Sequence, residues 1–174
     1  MPLHIFEQRY QDMIRDCLAG GRRFGLIYHD WDRQGPFLSE PGRVGCIAHI
    51  EEHQALEDGR SLIIASGQER FRIDDGLESE SLYFEGLVTA FPDDPAPWDL
   101  PDRRAESIDL FQSVLQTLPD EPPTPDGLTA SEDVSFLLAR TIQVDPAWHQ
   151  QMLEFTTEAE RLDMLNQVFR ALLD

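Results

Sequence analysis

The chain has 174 residues, enough for one good core or two small ones, and 41% of them are apolar, as in an ordinary globular protein. Asp and Glu number 33 against 14 basic residues, a net charge of −19, and every one of the 14 is arginine. Such a surface repels phosphate, which excludes nucleic acid and anionic membrane as general partners. The missing lysine excludes a P-loop, Schiff-base chemistry and a Ser–Lys dyad.

No apolar run approaches the ~20 residues of a membrane span, and the N-terminus lacks the basic-then-apolar plan of a signal peptide. A cytoplasmic location is therefore expected. Cys17 and Cys46 sit on apolar faces and read as small buried hydrophobes rather than a disulfide. A lysine-free acidic surface also suits salt-rich surroundings, where cations screen its self-repulsion.

The chain opens extended at Pro2 and then turns helical. Tyr10, Met13, Ile14, Cys17 and Leu18 recur with helical spacing and form one apolar stripe, and Gly20-Gly21 ends it. Arg23 to His29 reads as a strand. Asp30 to Gly42 is a loop that carries Trp31, Phe37 and Leu38. Val44 to Ile50 is a strand apolar on both faces. Glu57-Asp58-Gly59 is a turn, and Arg60 to Ser66 is the returning strand, broken by Gly67. Arg70 to Asp74 alternates charge with apolar residues and turns Phe71 and Ile73 inward. Asp75-Gly76 is a second turn. Leu82 to Phe91 is the last strand, with a bulge expected at Gly86.

Four prolines between Pro92 and Pro101 make a stiff extended connection. Beyond it the pattern is helical only. Ile108, Phe111, Leu115 and Leu118 form a seam over 103–118. Thr129 with Glu132 and Thr157 with Glu160 have capping-box spacing, and Asp145-Pro146 is a helix start. Leu162, Leu165, Phe169 and Leu172 form the last seam. The expected fold is α+β: a β-rich barrel-like domain with one packed helix over 1–91, a connection over 92–102, and a bundle of about four helices over 103–174.

The order of these parts resembles a known family. Pro2-Leu3-His4-Ile5-Phe6-Glu7, Gln8 and Arg9-Tyr10 are similar to a motif of the Lon protease N-terminal, substrate-binding domain. Arg22-Arg23-Phe24-Gly25, Val44-Gly45-Cys46 with its continuation to Ile50, and Gly67-Gln68-Glu69-Arg70-Phe71-Arg72-Ile73 resemble its later strands. Ser135 to Ile142 and Glu160-Arg161-Leu162 resemble its helices. The resemblance implies a PUA-like pseudobarrel followed by helices, in a non-enzymatic module that recognises unfolded or extended polypeptide segments and serves a protease or chaperone. The chain ends without ATPase or peptidase parts, so a stand-alone member is expected. Relatives carry an apolar strand before the Pro-Leu-His motif. Met1 sits directly on that motif here, so either the start is placed too late or the strand is missing, and a missing strand leaves an open sheet edge for self-association.

No catalytic constellation stands out, and no cofactor is implied. His49 and His53 have metal-like spacing with Glu51 and Glu52 between them, but they are expected to span a strand end and a turn; a metal-dependent hydrolase using them with nearby carboxylates is the alternative function. Asp30 with Asp32 and Asp74 with Asp75 are carboxylate pairs without a partner base. The candidate peptide-binding residues are the loop apolar residues Trp31, Phe37 and Leu38, with Tyr28 and Tyr83 as weaker members. Arg9, Arg15, Arg22 and Arg23 are candidates to pair with acidic groups of a partner, or with acids of this chain.

Overall fold

The computed structural model describes residues 1–29, 40–118, 127–128, 131 and 133–174. They divide into two compact units, Met1–Pro92 and Asp93–Asp174.

The first unit is a curled antiparallel half-barrel. Its strands are β1 (Pro2–Ile5), β2 (Arg23–Leu26), β3 (Val44–Ala55), β4 (Ser61–Leu77) and β5 (Glu85–Ala90), with helix α1 (Gln8–Ala19) between β1 and β2. The order is β1-β4-β3-β2, and β5 also pairs with β4. One edge of β4 carries β1 over Ser61–Ile64 and β5 over Phe71–Leu77. The other edge carries β3.

Several elements differ from the sequence reading. Pro2–Ile5, read only as an extended opening, is a sheet strand paired with Ser61–Ile64. Gly67 does not end a strand, and Asp75-Gly76 is not a turn: both lie inside the 17-residue β4. The chain absorbs the irregularity as bulges. Gln68 is extra between the pairs Ala48–Gly67 and Ile47–Glu69, and Asp74 is extra between Ile73–Val88 and Asp75–Leu87. The bulge expected at Gly86 is therefore on the partner strand, and Gly86 pairs with Gly76. β3 continues five residues past Ile50 to Ala55, whereas β2 and β5 are shorter than the apolar runs suggest.

The core of this unit forms where the sequence periodicities converge. Phe71 and Ile73 are buried, as are Val44, Ala48 and Ile50 on β3. Ile14 of α1 is buried against this sheet, with Tyr10, Met13, Cys17 and Leu18 packed around it. Gly45 explains the glycine of its motif. A Cβ there would lie 2.5 Å from the Leu26 carbonyl oxygen and 2.6 Å from the Phe71 ring, so no side chain fits. Arg22 adopts a left-handed φ of 56° after α1. Its amide donates to Cys17 O, its Nε donates to Ile50 O at 2.9 Å, and its carbonyl accepts from Ile50 N. Those bonds hold the strained residue between helix and strand.

The second unit contains α2 (Leu100–Thr117), α3 (Val134–Ala139), α4 (Pro146–Glu154) and α5 (Glu158–Leu173). α2 starts inside the stretch read as a connection, because Pro101 suits the first turn of a helix. The Asp145 carboxylate accepts from Ala147 N at 2.7 Å. Thr157 and Glu160 make the full reciprocal capping box. Thr129 lies outside the described residues, as does Glu132; α3 is capped by Asp133, which accepts from Phe136 N. Phe111, Leu115, Leu162, Leu165 and Phe169 are core, while Leu118 and Leu172 at the seam ends are exposed because their helices end there. No described helix is long and apolar enough to cross a membrane.

Fully buried Arg161 organises this unit. Its Nη1 and Nη2 donate to the two Asp93 oxygens at 2.8 and 2.5 Å. Nη2 also donates to Asp133 at 2.9 Å, and Nε to Ser135 Oγ at 2.7 Å. The guanidinium lies 4.4 Å above the Phe136 ring. Burial works against its charge, but Asp93, Asp133 and Glu158 outweigh it and the pKa stays raised. Glu158, also buried, accepts from Arg104 and from the amides of Val134 and Ser135. These bonds account for the Glu160-Arg161-Leu162 signature: a cap, a buried ion-pair hub and a core leucine in succession.

Candidate functional site

The half-barrel leaves a groove of about 890 Å³ open on one side. β1 contributes Leu3 and Ile5, α1 contributes Tyr10, Met13 and Cys17, and β2 contributes Phe24 to Leu26. Phe71 and Ile73 come from β4, Val88 and Ala90 from β5. The lining is mainly apolar because inward-facing positions of five strands and one helix meet there without closing. The glycines give it room: Gly25 approaches the Phe71 ring too closely for an easy side chain.

Two phenylalanines stand at its rim. Phe6, just after β1, is 61% exposed, and Phe84, just before β5, is 60% exposed. Val88, also in the lining, is exposed as well. Sequence reasoning placed Phe6 in a motif and Phe84 in a strand, and nominated neither. Their signal was available as large apolar residues flanking short edge strands, but periodicity does not say which side of a curled sheet stays open.

Of the five nominated residues, Tyr83 lines the groove. Its hydroxyl donates to Asp16 Oδ2 at 3.0 Å, tying the segment before β5 to α1, and that bond raises the phenol pKa. Tyr28 is half-buried beyond β2, does not line the groove, and its carbonyl accepts from Arg43. Trp31, Phe37 and Leu38 lie outside the described residues, as do Asp30 and Asp32.

The remaining candidates are drawn into internal contacts. Arg9 pairs with Glu7 at 2.8 Å and covers the Tyr10 ring. Arg15 pairs with Asp12, and Arg23 with Glu69. Arg70 and Arg72 both lie over the Phe91 ring, at 4.8 and 4.4 Å. Cys17 donates from Sγ to Arg23 O, and burial pushes its thiol pKa up, away from nucleophilic use. Burial does the same to Cys46, and both cysteines are free.

His49 and His53 both lie within β3, not across a strand end and a turn. His49 Nδ1 is 3.4 Å from Glu51 Oε1, too long for a good hydrogen bond, and Glu51, whose pKa is lowered, accepts from Ser66 instead. Asp74 accepts from Thr89 and Asp75 from Gly76 N. Among the described residues no three His, Cys, Asp or Glu side chains converge on a point where a metal could sit. The hydrolase alternative draws no support from this geometry.

Residues 1–169 match the family model for the substrate-binding domain of ATP-dependent protease La (LON). The chain belongs to that family. Among curated proteins, Lon protease of Cytophaga hutchinsonii is 23% identical over 97% of this chain and 22% of its own length. Lon protease 2 of Herpetosiphon aurantiacus is 30% identical over 76% of the chain and 17% of its own. The chain thus spans about a fifth of the length of these relatives. Two solved structures share the fold. The N-terminal domain of Mycobacterium avium complex Lon protease has a TM-score of 0.73 at 18% identity, covering 98% of this chain and 90% of that one. The Lon N-terminal domain protein of Xanthomonas campestris has a TM-score of 0.65 at 22% identity, covering 95% and 86%. The curled half-barrel is consistent with the PUA-like description of the Lon fold.

Proposed function

We propose that this Lon-family domain captures apolar, extended polypeptide segments in the groove of its β unit, without chemistry of its own. The observation that carries the reading is a large groove with an apolar lining whose rim displays Phe6, Phe84 and Val88 to solvent. Exposed aromatic residues beside a preformed apolar cavity are what a binding surface requires and what a folded core avoids. β2 and β5 line the groove, and among the described residues each has a single ladder partner, so an extended segment can add backbone hydrogen bonds along either one. Family membership supports polypeptide as the ligand class. These 174 residues hold no lysine for a P-loop or a Ser–Lys dyad, so in this reading ATP hydrolysis and peptide cleavage belong to other polypeptide or to a partner protease. The helical unit is read as a small bundle that supports the module.

The test is binding of a fluorescent apolar peptide by wild type and by Phe6→Ser and Phe84→Ser. Each variant is expected to keep its melting temperature, because the side chain is exposed, and to weaken binding by about tenfold or more, as an interface anchor does. Saturable binding equal in all three proteins would remove the groove from consideration.

A further inference from the structure

We propose that the groove selects segments whose apolar residues are flanked by basic side chains. This rests on the groove reading above and names its substrate class. The argument is the state of the charges around an apolar lining. Of the two arginines in the lining, Arg23 is ion-paired with Glu69, and Arg70 lies over the Phe91 ring, a contact that leaves its charge whole. A client carboxylate recruits Arg23 only by displacing Glu69. The carboxylates on the β5 side have no such close ion pair among the described residues. Glu85, in the lining, accepts from the Ser81 hydroxyl at 2.5 Å, and Asp16 accepts from the Tyr83 hydroxyl. A hydroxyl satisfies a lone pair but leaves the negative charge whole. The cation nearest Asp16 is Arg15, at 3.6 Å from its Oδ1, on a side chain mostly in solvent. Glu85, with no cation against it among the described residues, and Asp16, beside Tyr83 with only the solvent-exposed Arg15 near it, therefore lend net negative charge to the Tyr83–Glu85 side of the groove. The net charge of −19 adds a long-range field of the same sign. That field draws in a basic-flanked segment, repels an acidic one, and acts most strongly at low ionic strength.

The experiment uses three labelled peptides with one shared apolar core and flanks of Arg, Ser or Glu, titrated with the whole chain at low and at molar salt. The Arg-flanked peptide is expected to bind about tenfold tighter than the Glu-flanked one at low salt, with the gap closing to about twofold at molar salt. Glu85→Gln combined with Asp16→Asn is expected to bring the Arg-flanked peptide down towards the Ser-flanked one. Equal affinity for all three peptides at low salt overturns the charge selection and leaves the groove reading standing. A preference that survives the double substitution overturns its assignment to this rim. No saturable binding by any of the three overturns the groove reading as well.

Discussion

The two units treat exposed carbon and buried charge in opposite ways. The helical unit buries Arg161 and Glu158 and satisfies them in a closed network with Asp93, Asp133, Ser135 and Arg104. The β unit buries no charged side chain among its described residues, and leaves Phe6, Phe84 and Val88 in solvent around an open groove. A closed ion-pair network specifies a structure, whereas exposed apolar surface beside a cavity is a surface held for something else. The proposed function puts recognition in the β unit and scaffolding in the helices, in keeping with this contrast.

Substitutions can break each side of that contrast. The largest effect is expected from Arg161→Ala, which strands the Asp93 and Asp133 carboxylates and empties a fully buried site. Loss of one partner of a buried pair costs about 3 kcal/mol or more, seen as a lower urea midpoint of helical circular dichroism. An unchanged midpoint would show that the network contributes nothing to the helical unit. Next is Gly45→Ala in the β unit. Its methyl would press on the Leu26 carbonyl and the Phe71 ring, and overpacking of this kind costs about 1–3 kcal/mol in a denaturant titration. Thr157→Ala removes one half of a capping box and is expected to cost about 1 kcal/mol, again in the helical unit.

The smallest effect concerns pH. Tyr83 has a raised pKa because it donates to Asp16, so its contribution is whole below the ordinary tyrosine value of about 10 and is lost as pH climbs through the raised one. In a spectrophotometric titration, Asp16→Ala is expected to bring part of the phenol ionisation to lower pH. A titration curve identical to wild type would show that the Tyr83–Asp16 bond is not formed in solution.

Much of the molecule was legible in advance, for local reasons. The caps at Asp145 and Thr157 depend on residues within one helical turn. The inward set of Phe71 and Ile73 follows from strand alternation. The core residues Leu162, Leu165 and Phe169 follow from helical spacing. Beyond the reach of local signals were the continuity of β4 and the walls of the groove. Gly67 and Asp75-Gly76 carry the chemistry of strand ends, yet pairing on both edges of β4 outweighs that preference and bulges take up the mismatch. Phe6 and Phe84 stand far apart in sequence and become one rim only when β1 and β5 take the same edge of β4. The nominated loop residues followed a sound physical rule, that apolar residues in a loop need a reason, but the rule does not reach Phe6 and Phe84 beside short strands.

The pairing of β1 with β4 also sets an order of assembly. Leu3 pairs with Ile63, so β1 is made about sixty positions before its only ladder partner among the described residues. At roughly 5–20 residues per second, synthesis leaves that gap open for some seconds. α1 can coil at once from its own neighbours, but β1 waits unpaired with Phe6 at its end until Ser61–Ile64 arrives. β1 thus finds its place in the sheet only after β2 and β3 have been made, and β5 joins the same edge of β4 later still.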